Sequence, residues 1–179
     1  MNRLAPLALL AALASPTFAQ DSSSAVSSFP STAEEIEPAA AVDAQTFVNT
    51  ATVSNLFEIQ QLALSNSTSD EVKSFAQHMI DDHSKAADEM KAIATQEGLA
   101  VPAELDQPTA DKLAQLQAVS GEQFDLLYIQ LQTAAHAEAV ALFAGYANGG
   151  DNEALKAFAA QTLPVLEQHY EEALALSQG

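Results

Sequence analysis

The chain has 179 residues, 6 Lys+Arg against 24 Asp+Glu for a formal charge of −18, and no Cys. Without thiols, disulfide frameworks, thiolate metal sites and cysteine catalysis are excluded. So acidic a surface argues against nucleic acid, anionic membranes and phosphate-rich ligands as partners.

Residues 1–19 read as a secretory signal, with Arg3 as the positive start, an apolar run from Leu4 to Ala14, and Thr17-Phe18-Ala19 before the cleavage point. The run is too short to span a bilayer, which takes roughly 20 residues. The expected product is exported, soluble in a periplasm-like space, and not inserted in a membrane. Removing Arg3 leaves 5 Lys, no Arg and a charge of −19, so arginine clamps for phosphate or carboxylate are ruled out. A second copy of the chain or a protein partner remains compatible with this surface.

Residues 20–42 carry Ser22-Ser23-Ser24, Pro30, Pro38 and the acidic group Glu34, Glu35 and Glu37, with little apolar periodicity. That composition predicts a disordered acidic linker. The domain proper is expected over residues 43–177.

A first helix is predicted over residues 43–66, with Phe47, Val48, Ala51, Leu56, Ile59, Leu62 and Ala63 on its apolar side. Thr68-x-x-Glu71 reads as a capping box opening a second helix, whose seam is Val72, Ala76, Met79, His83, Ala86, Met90 and Ile93. Gly98 stands at the C′ position. Residues 99–108 form a connection and 109–118 a short helix. Ser120-x-x-Gln123 reads as another capping box, before a helix to about Ala147 bearing Phe124, Tyr128, Leu131, Leu142 and Phe143. After the turn Asn148-Gly149-Gly150-Asp151 comes a last helix with the seam Leu155, Ala159, Thr162, Leu166, His169, Ala173 and Leu176. No stretch alternates with period two. The fold class expected is all-α: an antiparallel four-helix bundle with a short extra helix in the crossover. Val72-Lys73-Ser74-Phe75-Ala76 and Leu155-Lys156-Ala157-Phe158-Ala159 form a faint internal repeat, as in the paired hairpins of ferritin-like bundles.

The four histidines divide. His78 shares a charged face with Asp82, its expected i,i+4 partner, Lys85 and Glu89. His83, His136 and His169 lie on or beside apolar stripes of three helices, and Glu58 takes the equivalent place on the first. An ionisable group in an apolar stripe is costly unless paired or metal-bound. Counted from Ser67 and Gly149 as turn centres at one end of the bundle, Glu58 is 9 residues away, His83 16, His136 13 and His169 20. The implied Cα spread is about 16 Å. Side chains lean toward their helix N-terminus, which narrows the gap for the histidines and less so for Glu58.

Two readings of these groups stay open. In one, His83, His136, His169 and Glu58 hold one divalent transition-metal ion, its identity open among Zn, Fe, Cu, Ni and Mn. Asp125, Tyr128 and Asp82 would then orient the ligands from behind. A dinuclear carboxylate site needs Glu-x-x-His on two helices, but Ile80 and Leu166 stand three before His83 and His169, so one ion fits better. In the other reading the histidines are core residues hydrogen-bonded to Glu58, Asp125, Tyr128 or Gln132. Pro164, five residues before His169, either kinks the last helix to aim that side chain or is a tolerated bend.

The strings Phe57-Glu58, Phe75-Ala76-x-x-Met79-Ile80-x-Asp82-His83, Ser120-Gly121-x-x-Phe124-Asp125-x-x-Tyr128, Ala135-His136 and Leu163-Pro164-x-x-x-x-His169 together resemble the bacterial domain of unknown function 4142 family. The resemblance covers residues 44–176. It implies a ferritin-like helical fold and no established activity. Three functions compete: an exported metal-binding bundle for storage, buffering or stress protection; a non-catalytic interaction protein with structural histidines; and a metal-dependent oxidoreductase, which needs an open metal position beside a pocket.

Overall fold

The computed structural model describes residues 29–59 and 63–178. The signal sequence, residues 20–28 of the predicted linker and residues 60–62 of the predicted first helix lie outside the described residues. The elements are α1 Ala44–Ile59, α2 Ala63–Asn66, α3 Asp70–Gln96, α4 Gln107–Gln117, α5 Glu122–Gly149 and α6 Glu153–Ser177. No strand occurs among the described residues.

Local chemistry sets the helix ends. Ser69 accepts from Val72 N–H (3.2 Å), Asp106 from Thr109 N–H (2.9 Å) and Asn152 from Leu155 N–H (3.0 Å), each satisfying an orphan donor of a first turn. Gly98, at φ 69°, closes α3 as a Schellman motif: Leu99 N–H donates to Ala94 O (2.8 Å) and Gly98 N–H to Thr95 O (3.3 Å). Two predicted caps fall elsewhere. Ser69, not Thr68, caps α3; Thr68 instead donates its hydroxyl to Asp125 Oδ2 (3.1 Å). At the start of α5 the cap is Gly121, at φ 64° and without a side-chain bond, rather than Ser120. Gly121 N–H reaches across to Asn66 O (2.9 Å), so this corner is built to dock a turn on a helix start.

These contacts fix the topology. The turn before α3 sits against the start of α5. The α5–α6 turn sits against the end of α3, where Asn152 Nδ2 donates to Glu97 Oε2 (2.6 Å). The two hairpins therefore turn at opposite ends of an antiparallel four-helix bundle, and the crossover carrying α4 runs back along α1 and α5. The α5–α6 pair packs most extensively, then α1 against α3. α6 continues unbroken through Pro164.

The core is two apolar clusters with a polar layer between them. One holds Phe47, Met90, Phe143, Tyr146, Leu155 and Phe158; the other holds Phe57, Phe75, Met79, Leu116, Phe124 and Tyr128. On each long helix the chain passes from one cluster to the other through buried polar side chains: Asn55 on α1, His83 on α3, Gln132, Thr133 and His136 on α5, and His169 on α6.

The expected disordered linker does not extend to Val42. Residues 29–42 lie along the bundle as a strap. Tyr170 OH donates to Pro30 O (2.6 Å), Ala33 is buried in a short 3-10 turn, and Ala39 N–H donates to Ala141 O (2.8 Å). The strap comes so close to α5 at Gly145 that a Cβ there would run into the Ala39 carbonyl. Backbone bonding and the scattered apolar contacts of Ala33, Ile36 and Val42 hold it, without a regular apolar period.

Candidate metal centre

Three helices each bring one imidazole to the polar layer. His83 comes from α3, His136 from α5 and His169 from α6, with relative exposures of 4%, 1% and 1%. The ring centroids form a nearly equilateral triangle with sides of 5.5, 5.5 and 5.4 Å. One ring nitrogen from each lies within 4.8 Å of the others.

Opposite-end turns explain why the count along the chain overstated their separation. Measured toward the α5–α6 turn, His83 stands 13 residues before the end of α3, His136 13 before the end of α5, and His169 16 after the start of α6. At 1.5 Å per residue the axial spread is about 4.5 Å, within the reach of an imidazole.

Partners outside the triangle fix the tautomers. His136 Nδ1 faces the main-chain carbonyl of Gln132 (3.0 Å) and must donate to it. His83 Nδ1 faces Asn55 Oδ1 (2.8 Å) and donates likewise. His169 Nε2 donates to Asp82 Oδ2 (3.3 Å). Each neutral ring then keeps one unprotonated nitrogen: Nε2 of His83, Nε2 of His136 and Nδ1 of His169. The two Nε2 atoms face each other at 3.3 Å, and His169 Nδ1 is buried with no hydrogen-bond partner.

Burial and mutual repulsion keep the rings neutral. Desolvation, then His136 and His169, holds His83 well below the usual histidine range. Desolvation, then His169, lowers His136 to about 3. Desolvation also lowers His169, opposed by the Asp82 carboxylate. Burial pushes the Asp82 carboxyl up, but Lys85 and His169 outweigh it and hold the group below its ordinary value.

These residues fit a metal. Neutral imidazoles are the form that ligates, and hydrogen bonds from the far ring nitrogens to a carboxylate, a side-chain amide and a backbone carbonyl are the usual support for ligand histidines. Tetrahedral bonds of about 2.0–2.1 Å set nitrogens about 3.3–3.4 Å apart, which the His83–His136 separation of 3.3 Å already meets. The widest of the three separations closes by up to about 1.5 Å on that geometry.

The other predicted site residues sort differently. Asp82 stands behind His169 as expected, and its other oxygen takes Lys85 Nζ (3.1 Å). Glu58 is buried, at 1% exposure, but does not join the three-histidine group. Its electrical neighbour is Tyr128, whose phenol is pushed well up by desolvation and then by Glu58. Tyr128 stacks on Phe124 (5.7 Å) and meets Phe75 edge-on (6.2 Å). Asp125 accepts from Thr68 N–H and Oγ1–H, tying the turn to α5 rather than orienting a ligand. His78 pairs with Glu172 (3.7 Å) across to α6, not with Asp82, which His169 and Lys85 occupy. Asn55 was not foreseen. Its signal was present: it follows Ala51 by four residues, on the same buried face.

Fold and site together define a class: an acidic all-α bundle with a buried cluster of three histidines. The chain belongs to the family described as Domain of unknown function (DUF4142), whose profile matches residues 29–176. That span takes in the strap as well as the helices. No curated protein and no solved structure matches the chain.

Proposed function

We propose that this protein is an exported helical bundle that binds one divalent transition-metal ion through His83, His136 and His169, for storage, buffering or stress protection in the periplasm. The observation that carries the reading is the convergence of three buried imidazoles, one ring nitrogen of each within 4.8 Å of the others, with every ring also hydrogen-bonded to a group outside the triangle. Export rests on the signal-like residues 1–19. No helix among the described residues is long and apolar enough to cross a membrane, which is compatible with that placement. Glu58 stays outside the ligand set.

A purely structural histidine network is the competing reading, supported by the 3.3 Å separation of the facing nitrogens, a hydrogen-bond distance. It requires one of the two Nε2 atoms to carry a proton. On His136 that leaves a bare Nδ1 against the Gln132 carbonyl and loses the bond; on His83 it is satisfied only if the Asn55 amide turns over to donate its Nδ2–H, which has no partner as it stands. A metal ion removes the conflict without breaking either. Elemental analysis of protein purified without chelator or affinity tag tests the proposal. About one transition-metal ion per chain is expected; a metal-free protein that also takes up none on incubation contradicts it.

A further inference from the structure

A cavity of about 200 Å³ adjoins the histidine cluster. Its floor includes His83 and His169, together with the two groups that hold them, Asn55 and Asp82. Its walls are apolar, with Ala51, Ala86, Ala139, Phe143 and Leu166 from all four long helices. It opens between α3 and α6, where the exposed side chains of Lys85, Glu89, Gln161 and Val165 stand. Small residues make the space: Ala51, Ala86 and Ala139 sit where larger apolar side chains would fill it.

The size and chemistry of this space restrict its occupant. An apolar cavity of about 150 Å³ accepts benzene, so a compact body of about that size fits. Three neutral imidazoles leave the charge of a divalent ion uncompensated by its protein ligands, and three protein ligands leave a coordination position for a small molecule. One anionic oxygen donor meets both needs. Multiply charged anions are disfavoured by the charge of −18 and by the apolar walls.

Resting on the metal site proposed above, we infer that the cavity is a binding site for a small monocarboxylate with a compact apolar body, whose carboxylate takes the open position on the ion. The site is then more than a sequestering cage: it selects a co-ligand by size and charge.

The test is a titration of the Co(II)-loaded full-length protein with benzoate, followed by the visible Co(II) spectrum, beside 1-naphthoate and inorganic phosphate. The variants are Ala86→Leu, which fills the cavity from α3, and Val165→Phe, which narrows the mouth from a side chain already 37% exposed and so puts folding at little risk. Neither residue is a proposed ligand. Benzoate should shift the parent spectrum saturably, and naphthoate and phosphate should bind at least tenfold more weakly. Both variants should keep their cobalt and weaken benzoate at least tenfold. Cobalt bound one to one with no benzoate response, or a response unchanged in both variants, overturns the co-ligand site and leaves the metal site standing. Failure to bind cobalt or any other divalent ion overturns both.

Discussion

His83 and His136 meet Nε2 to Nε2 at 3.3 Å, and each ring has already spent its Nδ1 proton on an acceptor behind it. Two neutral rings in these tautomers present lone pairs to each other. Such a contact is unfavourable in a buried place unless a proton or a cation comes between them. The protonated form is itself suppressed, since burial holds both rings far below the usual histidine range. With the Asn55 amide as it stands, a cation between the two nitrogens satisfies both rings; without one, the amide must turn over so that His83 Nε2 can carry the proton.

The residues behind the rings should matter nearly as much as the rings. Asn55→Leu removes the acceptor for His83 Nδ1–H, and Asp82→Ala removes that for His169 Nε2–H. Each should weaken metal affinity by about 10–100-fold with stoichiometry unchanged. Asp82→Asn, which keeps an acceptor oxygen but loses the charge, should fall between Asp82→Ala and the parent. Competition titration with a chromophoric chelator checks the order. Equal affinities throughout would mean that these contacts do not position the ligands.

Metal-free protein should lose stability as pH falls below neutrality. The folded-state values of all three histidines lie under the ordinary 6.5. Below that pH the unfolded chain binds more protons than the folded one, so stability is fullest above 6.5 and declines toward the folded values. The slope is about 1.4 kcal/mol per pH unit for each histidine within its window. Between pH 6.5 and 5.0, His136 alone, with its folded value at about 3, accounts for about 2 kcal/mol. His169, beside the Asp82 carboxylate, is opposed less strongly and should take up its proton first. Urea unfolding at pH 7.5 and pH 5.0 checks this, with His136→Gln expected to flatten the dependence. A midpoint that does not move with pH would show that the rings are not held neutral by burial.

The strap should come off when its crossing point is filled. Gly145→Ala places a methyl group against the Ala39 carbonyl and threatens the Ala39–Ala141 hydrogen bond. Overpacking of this kind costs about 1–3 kcal/mol. Limited proteolysis should then cut within residues 29–42 faster than in the parent while the helices stay protected. Unchanged cleavage and melting would mean that the strap does not bear on α5.

Much of this was legible in the sequence, and the exceptions have physical causes. The seam of α3 from Val72 to Met90 and the Gly98 stop could be read because helix period and left-handed backbone leave marks on residue type. His83, His136 and His169 could be singled out because each interrupts an apolar stripe. The strap left no such mark: it is held by main-chain groups of Pro30, Ala39 and Ala141 and by the scattered side chains of Ile36 and Val42, and its traces on α5 are Gly145 and Gly149, where it passes close. The axial count went astray because it set both hairpin turns at one end, and turn chemistry says nothing about which end a hairpin occupies. Asp125 and Tyr128 share the face of α5 that carries His136, but they lie about three and two turns away, packed with Thr68, Phe75 and Phe124 instead. A single asparagine on a helix face, as at Asn55, carries too weak a signal to be chosen without its partner in view.

The most direct test of a three-histidine metal centre is thermal unfolding of chelator-stripped protein and of His83→Ala, His136→Ala, His169→Ala and His78→Ala, each with and without Zn(II), Mn(II), Cu(II) and Fe(II). At an ion concentration 1,000 times Kd, binding stabilises the native state by about 4 kcal/mol, a rise of roughly 10 °C in a domain of this size. The account predicts that rise with at least one ion in the parent and in His78→Ala, and its loss in each of the other three. A parent that gains nothing from any ion, or a gain that survives the loss of His83, His136 or His169, would contradict it.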